Sequence, residues 1–251
     1  MLGTERRERI QEFIENKGFA TINELLETFK VSEITVRRDL KTLNESRLVE
    51  RTYGGVRSLK GQAAMSSFYD DLKYNISEKK KIARAAAEMI HNEETVILDG
   101  GSTTYYIAEN LREKNIHVVT NSLPVIQLLT NYPNVEVIAT GGVLFPKGGV
   151  FLGLPACRVL EQMKVDKAFI GVAGINEDGI SNSNLLLVET ERAMINSAKE
   201  VIVVADHSKF GKNAMGFLGD FLRVDTIITD SGVSGNYLDT IKEKVKNFIV
   251  V

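Results

Sequence analysis

Two stretches of this 251-residue chain place residue types where chemistry follows from their spacing. The first is Val96-Ile97-Leu98-Asp99-Gly100-Gly101-Ser102-Thr103-Thr104, an apolar run that opens into small and hydroxylated residues before a helical pattern. Backbone N–H groups at a helix start, with three hydroxyls beside them, suit a dianion such as a sugar phosphate. Glycines at such a point let a ligand approach the main chain. Thr120-Asn121-Ser122 ends the next apolar run in the same way, and Gly141-Gly142 ends the one after. Singly, such residues are ordinary turns and caps; three in succession favour a shared pocket, because strand ends in an open α/β sheet converge on one crevice.

The second stretch runs from Ser32 to Ser46. On a 100° wheel Val36, Leu40 and Leu43 share one face, while Ile34, Thr35, Arg37, Arg38, Lys41 and Thr42 lie on the flanks or opposite. One helix with a buried seam and a basic outer surface has the chemistry of a major-groove reader. Arginine forks onto guanine O6 and N7, a hydroxyl such as Thr35 bonds a base edge or a phosphate, and an exposed Ile34 touches a thymine methyl. A solvated face on an ordinary three-helix module is the plainer alternative for the charges alone.

The elements that must position these residues fall into two groups. Helices are expected over about Arg6–Lys17, stopped by Gly18, then from Thr21, where Thr21 and Glu24 spell a capping box. Lys30-Val31 makes a tight connection, and Ser32 caps the third helix, giving a helix-turn-helix order. Leu48 to Arg57 follows as two short extended runs around Gly54-Gly55, a β-ribbon wing from which Arg51, Tyr53 and Arg57 reach phosphates or the minor groove. Residues 1–60 are therefore expected as a winged helix-turn-helix DNA-binding domain, 61–77 as a linker, and 78–251 as an effector-binding domain. In that last part Val- and Ile-rich runs alternate with amphipathic helices, which indicates an open, mainly parallel α/β sheet. Strands are expected at Thr95–Asp99, His117–Thr120, Val135–Thr140, Ala168–Ala173, Val201–Ala205, Thr226–Thr229 and Phe248–Val251.

Composition narrows the classes. At 43% hydrophobic and 25% charged, with four prolines, the chain is an ordinary globular protein. Its longest apolar runs fall far short of the roughly 20 residues a membrane helix needs. The charges in Met1–Arg9 argue against a secretory signal, so the cytoplasm is expected. The single cysteine, Cys157, has no partner for an internal disulfide and no nucleophile motif around it. Residues 1–60 carry 12 Lys/Arg against 10 Asp/Glu and the remainder 19 against 23, so the placement of charge, not its sum, argues for nucleic acid.

The run Val31-Ser32-Glu33-Ile34-Thr35-Val36-Arg37-Arg38-Asp39-Leu40, with Leu43 and then Arg51-Thr52-Tyr53-Gly54-Gly55, closely resembles the DNA-binding signature of DeoR-type repressors of sugar catabolism. Two departures are Arg47, where the family often has glycine, and Tyr53, where it often has histidine. Asp166-Lys167-Ala168-Phe169-Ile170-Gly171-Val172-Ala173-Gly174-Ile175 and Ala205-Asp206-His207-Ser208-Lys209-Phe210-Gly211 are similar to the family's sensor domain, whose fold is like that of ribose-5-phosphate isomerase. The resemblance spans almost the whole chain and implies that Lys209 contacts a sugar phosphate.

An isomerase of that kind needs positioned carboxylates. Where those enzymes carry an Asp-Gly-Ala-Asp run, this chain has Ile170-Gly171-Val172-Ala173, and nothing in the sequence pairs Asp99, Asp178 or Asp206 as substitutes. Asp206-His207-Ser208 holds triad letters, but consecutive residues in an extended segment point opposite ways. His91, His117 and His207 lack metal-ligand spacing, and no Gly-x-x-x-x-Gly-Lys loop is present. The expectation is a regulator without cofactor or metal, binding operator DNA as a homodimer or homotetramer and released or rearranged by a phosphorylated sugar. The rivals are a sugar-phosphate isomerase-like enzyme and a protein-interaction module with a degenerate winged helix.

Overall fold

Thr21 and Ser32, the two hydroxyl caps, punctuate the N-terminal helices as their positions predict. The structure is a computed structural model that describes residues 3–17, 19–46, 48–52, 55–58, 68–235 and 237–251, and the chain divides into two compact units, 1–64 and 65–251. The first holds α1 (Gly3–Lys17), β1 (Phe19–Thr21), α2 (Ile22–Phe29), α3 (Glu33–Glu45), β2 (Val49–Thr52) and β3 (Gly55–Ser58). At the start of α2 the Thr21 hydroxyl accepts from Glu24 N, and Glu24 in turn accepts from Thr21 N at 2.8 Å. Ser32 Oγ accepts from Thr35 N and opens α3. Ile10, Ile14, Leu25, Val36, Leu40 and Leu43 close the core over Val49 and Val56. The seam on α3 is therefore the one its spacing predicts.

The ribbon carries a third strand that the sequence pattern did not reveal. β1 pairs with β3, which pairs with β2, all antiparallel. Three residues are too few to show a two-residue period. Gly55 is where this addition constrains the wing, since a Cβ there would lie 2.6 Å from the Ala20 carbonyl oxygen. Tyr53, Gly54 and Arg47 lie outside the described residues.

Asp39 fixes α3 from behind. It is buried, and Arg6 grips it with Nε at 2.6 Å and Nη2 at 3.3 Å, while Arg7 Nη1 stands at 3.7 Å.

The second unit holds α4 (Phe68–Asp71), α5 (Ile76–Glu88), β4 (Thr95–Leu98), α6 (Ser102–Glu109), β5 (Ile116–Thr120), α7 (Leu123–Leu129) and β6 (Val135–Ala139). A hairpin of β7 (Val143–Phe145) and β8 (Val150–Leu152) leads to α8 (Leu154–Glu161), β9 (Val165–Gly171), β10 (Gly174–Asn176) and β11 (Gly179–Asn182). The chain ends with α9 (Leu185–Ser197), β12 (Ala198–Val204), β13 (Gly216–Gly219), β14 (Thr226–Thr229), α10 (Tyr237–Lys244) and β15 (Asn247–Val250). Part of the expected linker is structured. Phe68 is buried against the edge of Tyr105, at 5.7 Å between ring centroids, and its N–H donates to Lys147 O. Aromatic burial orders this stretch without any helical period; the preceding residues, 61–67, lie outside the description.

Seven parallel strands form the main sheet in the order β15-β14-β12-β9-β4-β5-β6. The chain starts in the middle at β4, builds outward through β5 and β6, then returns to the other side of β4 with β9. That reversal between β4 and β9 is a topological switch point, where open sheets of this kind keep their ligand crevice. At the opposite margin two aspartates stitch neighbouring strands. Asp166 accepts from Thr95 N at 3.0 Å and pairs with Lys199 at 2.7 Å. Asp225 accepts from Val201 N at 2.9 Å and pairs with Lys246.

Replacing Asp39 with alanine strands the Arg6 guanidinium and should destabilise the first unit by about 2 kcal/mol, the scale of hydrogen bonds to a charged group. Amide hydrogen exchange in α1 and α3 of the full chain should then quicken by roughly thirty-fold, with residues 68–251 unaffected. Unchanged protection in α3 would show that the apolar seam alone holds it.

Candidate functional site

The outward face of α3 is accessible along its length. Ile34 is 80% exposed, and Arg37, Arg38, Lys41 and Thr42 are exposed beside it. Arg37 forms an i, i+4 ion pair with Glu33 at 2.6 Å, an exposed contact worth only a few tenths of a kcal/mol and readily exchanged for a phosphate. Arg38 makes no ion pair among the described residues. Thr35 is half-buried, its hydroxyl 2.9 Å from Ser32 Oγ. Leaving an isoleucine bare on a helix so well seamed elsewhere costs hydrophobic stabilisation, which a contact partner would recover. In the ribbon, Arg51 pairs with Val56 and Arg57 with Glu50.

In the second unit the small-residue strand ends all lie along one margin of the sheet, but their hydroxyls are not equally available. Thr104 Oγ1 donates to Asp99 O at 2.6 Å and accepts from Gly101 N at 3.0 Å. Thr120 Oγ1 accepts from Ser122 N, and Ser122 Oγ caps α7 at Val125 N. Those three are committed to the turns themselves. Ser102 is half-buried and Thr103 buried at the first turn of α6, behind Gly100 and Gly101. Gly141 and Gly142 belong to the hairpin, Gly142 packing on Leu152 O and the Ala156 methyl. Val150 of β8 covers Gly100 so closely that a Cβ there would fall 2.0 Å from its Cγ1.

At the switch point two acids meet in the dry interior. Asp99 Oδ2 accepts from Gly171 N at 3.2 Å, and the Glu191 carboxyl of α9 lies within hydrogen-bonding reach of Asp99. Asn182 Nδ2 donates to Glu191 Oε1 at 2.6 Å. Burial pushes Asp99 up to about 6, although the N–H groups of Gly100 and Gly171 pull it down. Burial and the charge of Asp99 raise Glu191 well above the carboxylate range, so Glu191 keeps the proton and donates it to Asp99. Next to them Asn121 is fully buried with neither amide atom bonded. An unsatisfied buried amide costs about 1–3 kcal/mol. The sequence left Asp99 unpaired because its partner sits on a distant helix, although an acid three residues from both Val188 and Met194 on an otherwise apolar stripe was a visible signal.

Lys209 follows β12 and belongs to a basic cluster. Lys79 of α5, Lys209 and Lys212 surround Asp206, whose Oδ1 also accepts from Asn75 Nδ2 at 2.8 Å. Burial acts to raise Asp206, but Lys209, the Ser208 hydroxyl, Lys79 and Asn75 prevail and hold it below its ordinary value. Burial lowers both Lys79 and Lys212. Three cations around one carboxylate leave a positive excess. Lys79 and Lys212 carried no local motif in the sequence. His207 turns away from Ser208 to Asp230, at 2.8 Å. Elsewhere, a surface groove of about 420 Å³ between α8 and α9 is lined by Leu154, Cys157, Glu161, Glu189 and Arg192, and none of the strand-end residues borders it.

The raised acids make a pH signature. A carboxyl whose folded value is raised binds protons more tightly in the folded than in the unfolded chain, so its stabilising effect is full in acid and is lost as pH rises, through about 6 for Asp99 and through its own raised value for Glu191. Glu191→Gln replaces the held proton by an amide N–H facing Asp99. The variant should melt several degrees above the parent at pH 8, with the gap closing towards pH 5; thermal melts at both values check this, and a constant gap would contradict it.

Comparison with known proteins matches two family models, a DeoR-like helix-turn-helix domain over residues 6–62 and a DeoR C terminal sensor domain over residues 74–231. The glycerol-3-phosphate regulon repressor of Escherichia coli (strain K12) is 35% identical over 233 residues, 92% of each chain. The uncharacterized HTH-type transcriptional regulator YulB of Bacillus subtilis (strain 168) is 33% identical over 245 residues, 97% of this chain and 95% of its own. The HTH-type transcriptional regulator IolR of the same organism is 34% identical over 234 residues, 92% and 93%. Ribose 5-phosphate isomerase A of Methanocaldococcus jannaschii aligns with 55% of this chain and 56% of its own at 19% identity and a TM-score of 0.38, too remote to carry an argument. With a family model at each end of it and relatives matching nearly end to end, the chain belongs to the DeoR family of DNA-binding transcriptional regulators.

Proposed function

We propose that the chain represses carbohydrate-catabolism genes in the cytoplasm by laying α3 in the major groove of an operator, and that a phosphorylated sugar in the second unit relieves repression. The single observation that carries this reading is the outward face of α3, with Ile34, Arg37, Arg38 and Lys41 exposed while Val36, Leu40 and Leu43 lock the opposite stripe into the core. Ser32, Thr35 and the wing residues Arg51, Tyr53, Gly54, Gly55 and Arg57 complete the set proposed to contact DNA, the wing through phosphates. One short helix reads few base pairs, so two or four copies on paired half-sites are part of the proposal.

The effector's phosphate is assigned to the first turn of α6, with Gly100, Gly101, Ser102 and Thr103, and to Lys209 with Lys79. Supporting this, α5, which carries Lys79, packs against α6. A lysine point charge and a helix N-terminus both favour a dianion. Asp99, Thr104, Thr120, Asn121, Ser122, Gly141 and Gly142 frame the crevice. Relief of repression requires that the sugar phosphate bind the DNA-free state more tightly than the DNA-bound one. The family is one of regulators rather than enzymes, and turnover of a sugar phosphate is not proposed.

Gel-shift titration against competitor DNA tests the first half. Arg38→Ala should cost about 1–3 kcal/mol at the operator and relax preference at one base pair, and an unchanged profile would return Arg38 to the solvated surface. Lys209→Ala tests the second half. The variant should bind operator as the parent does and need about tenfold more sugar phosphate for release; equal response in both would remove Lys209 from the site.

A further inference from the structure

We propose that Asn121, Asp99 and Glu191 form a hydroxyl-recognition subsite at the switch point, which selects a phosphorylated polyol by the hydroxyls remote from its phosphate. The inference rests on the effector reading above and gives the crevice a second, chemically distinct end.

Three observations converge there. The subsite lies at the strand ends beside the switch point between β4 and β9, the only place in the sheet where neighbouring strand ends lead the chain away in opposite directions, with Asn121 following β5 where Asp99 follows β4. Its polar atoms outnumber their partners. Asn121 Nδ2 and Oδ1, Asp99 Oδ1 and Glu191 Oε2 are buried without a hydrogen-bond partner, and the Asp99 and Glu191 carboxyls stand within reach of one another. Elsewhere among the described residues, only Thr229 Oγ1 shares that condition. The atoms are also set in a fixed frame. Asn182 and the Gly171 N–H hold the far oxygens of Glu191 and Asp99, and Asn121 Oδ1 stands 3.3 Å from where a Cβ on Gly100 would be.

The set has one amide, able to donate and accept, beside two carboxyl oxygens that accept once their shared proton is displaced or turned. Adjacent hydroxyls of a polyol both donate and accept without bringing charge, and they match this pattern; inorganic phosphate, whose negative charge two buried acids repel, does not. A site built to bond a hydroxyl discriminates strongly against a ligand lacking it, because its own polar groups are then left unpaired. Val150 lies over Gly100 at this point, so the β7–β8 hairpin covers the strand end that carries Asp99.

Titration calorimetry on the full chain tests the assignment, with D-ribose 5-phosphate, D-glucose 6-phosphate, D-fructose 6-phosphate and sn-glycerol 3-phosphate each compared with inorganic phosphate. The parent should bind at least one of the four about tenfold or more above inorganic phosphate. Glu191→Gln, which keeps shape, and Asn121→Ala should each erase that preference while leaving affinity for inorganic phosphate within about twofold; Lys209→Ala should weaken all five. If both subsite variants retain the parent's preference, the subsite is overturned while the crevice stands. If the parent itself prefers none of the four to inorganic phosphate, the effector reading and the subsite fall together.

Discussion

The reversal of strand order between β4 and β9 is the constraint on which the second unit is built. All seven strands run the same way, so every strand ends on one margin, and the change of direction leaves a gap there that no crossover helix fills. Backbone ends, a helix first turn and the loops after β9 and β12 must line it. A buried gap lined by polar atoms is unstable unless those atoms are paired. The chain answers with a proton shared by two acids, a carboxylate ringed by three lysines, and one amide left open. The fold itself thus creates a polar interior at a defined place, and ligand chemistry is what remains to be satisfied.

The N-terminal margin holds its carboxylates low, whereas the C-terminal margin has both kinds, Asp206 held low and Asp99 and Glu191 raised. Asp166, held low chiefly by Lys199, and Asp225, where Lys246 and the Val201 N–H overcome burial, contribute stability above the carboxylate range that disappears as pH falls through their depressed values. Asp99 and Glu191, raised by burial, contribute most in acid, Asp99 losing its share as pH rises through about 6 and Glu191 as pH rises through its own raised value. One margin is electrostatically settled at neutral pH and the other is not. That imbalance is expected of a binding site, where stability is conceded for readiness to interact.

Much of this is legible in the sequence alone. The capping box at Thr21 and Glu24, the cap at Ser32 and the Val36, Leu40, Leu43 stripe are local patterns, and local patterns survive folding. The parallel strands were visible as Val- and Ile-rich runs. β1, β10 and β11 escaped because three or four residues cannot display a period, and α4 because aromatic contacts rather than amphipathicity order it. In the crevice the small-residue strand ends were found, but their hydroxyls could not be sorted into committed and available without hydrogen-bond partners. Asn182 carries no local signal, and Glu191 only that of an acid on an apolar stripe, because the roles of both exist only across the sheet. Lys79 was missed because its neighbours Asp206 and Lys209 come from the far end of the chain.

The aspartate stitches at the N-terminal margin have a mechanical consequence. Asp166 and Asp225 between them tie β4 to β9, β9 to β12, β12 to β14 and β14 to β15, whereas at the C-terminal margin Asp99 reaches β9 through Gly171 N and Asp230 reaches the segment after β12 through His207, two separate ties that leave β9 and β12 unjoined there by any carboxylate among the described residues. The sheet is fastened like pages along a spine. Should β9 and β12 splay, they pivot about the joined end, and a lever of that kind turns a slight rotation at the spine into its widest displacement beside Lys209, which follows β12.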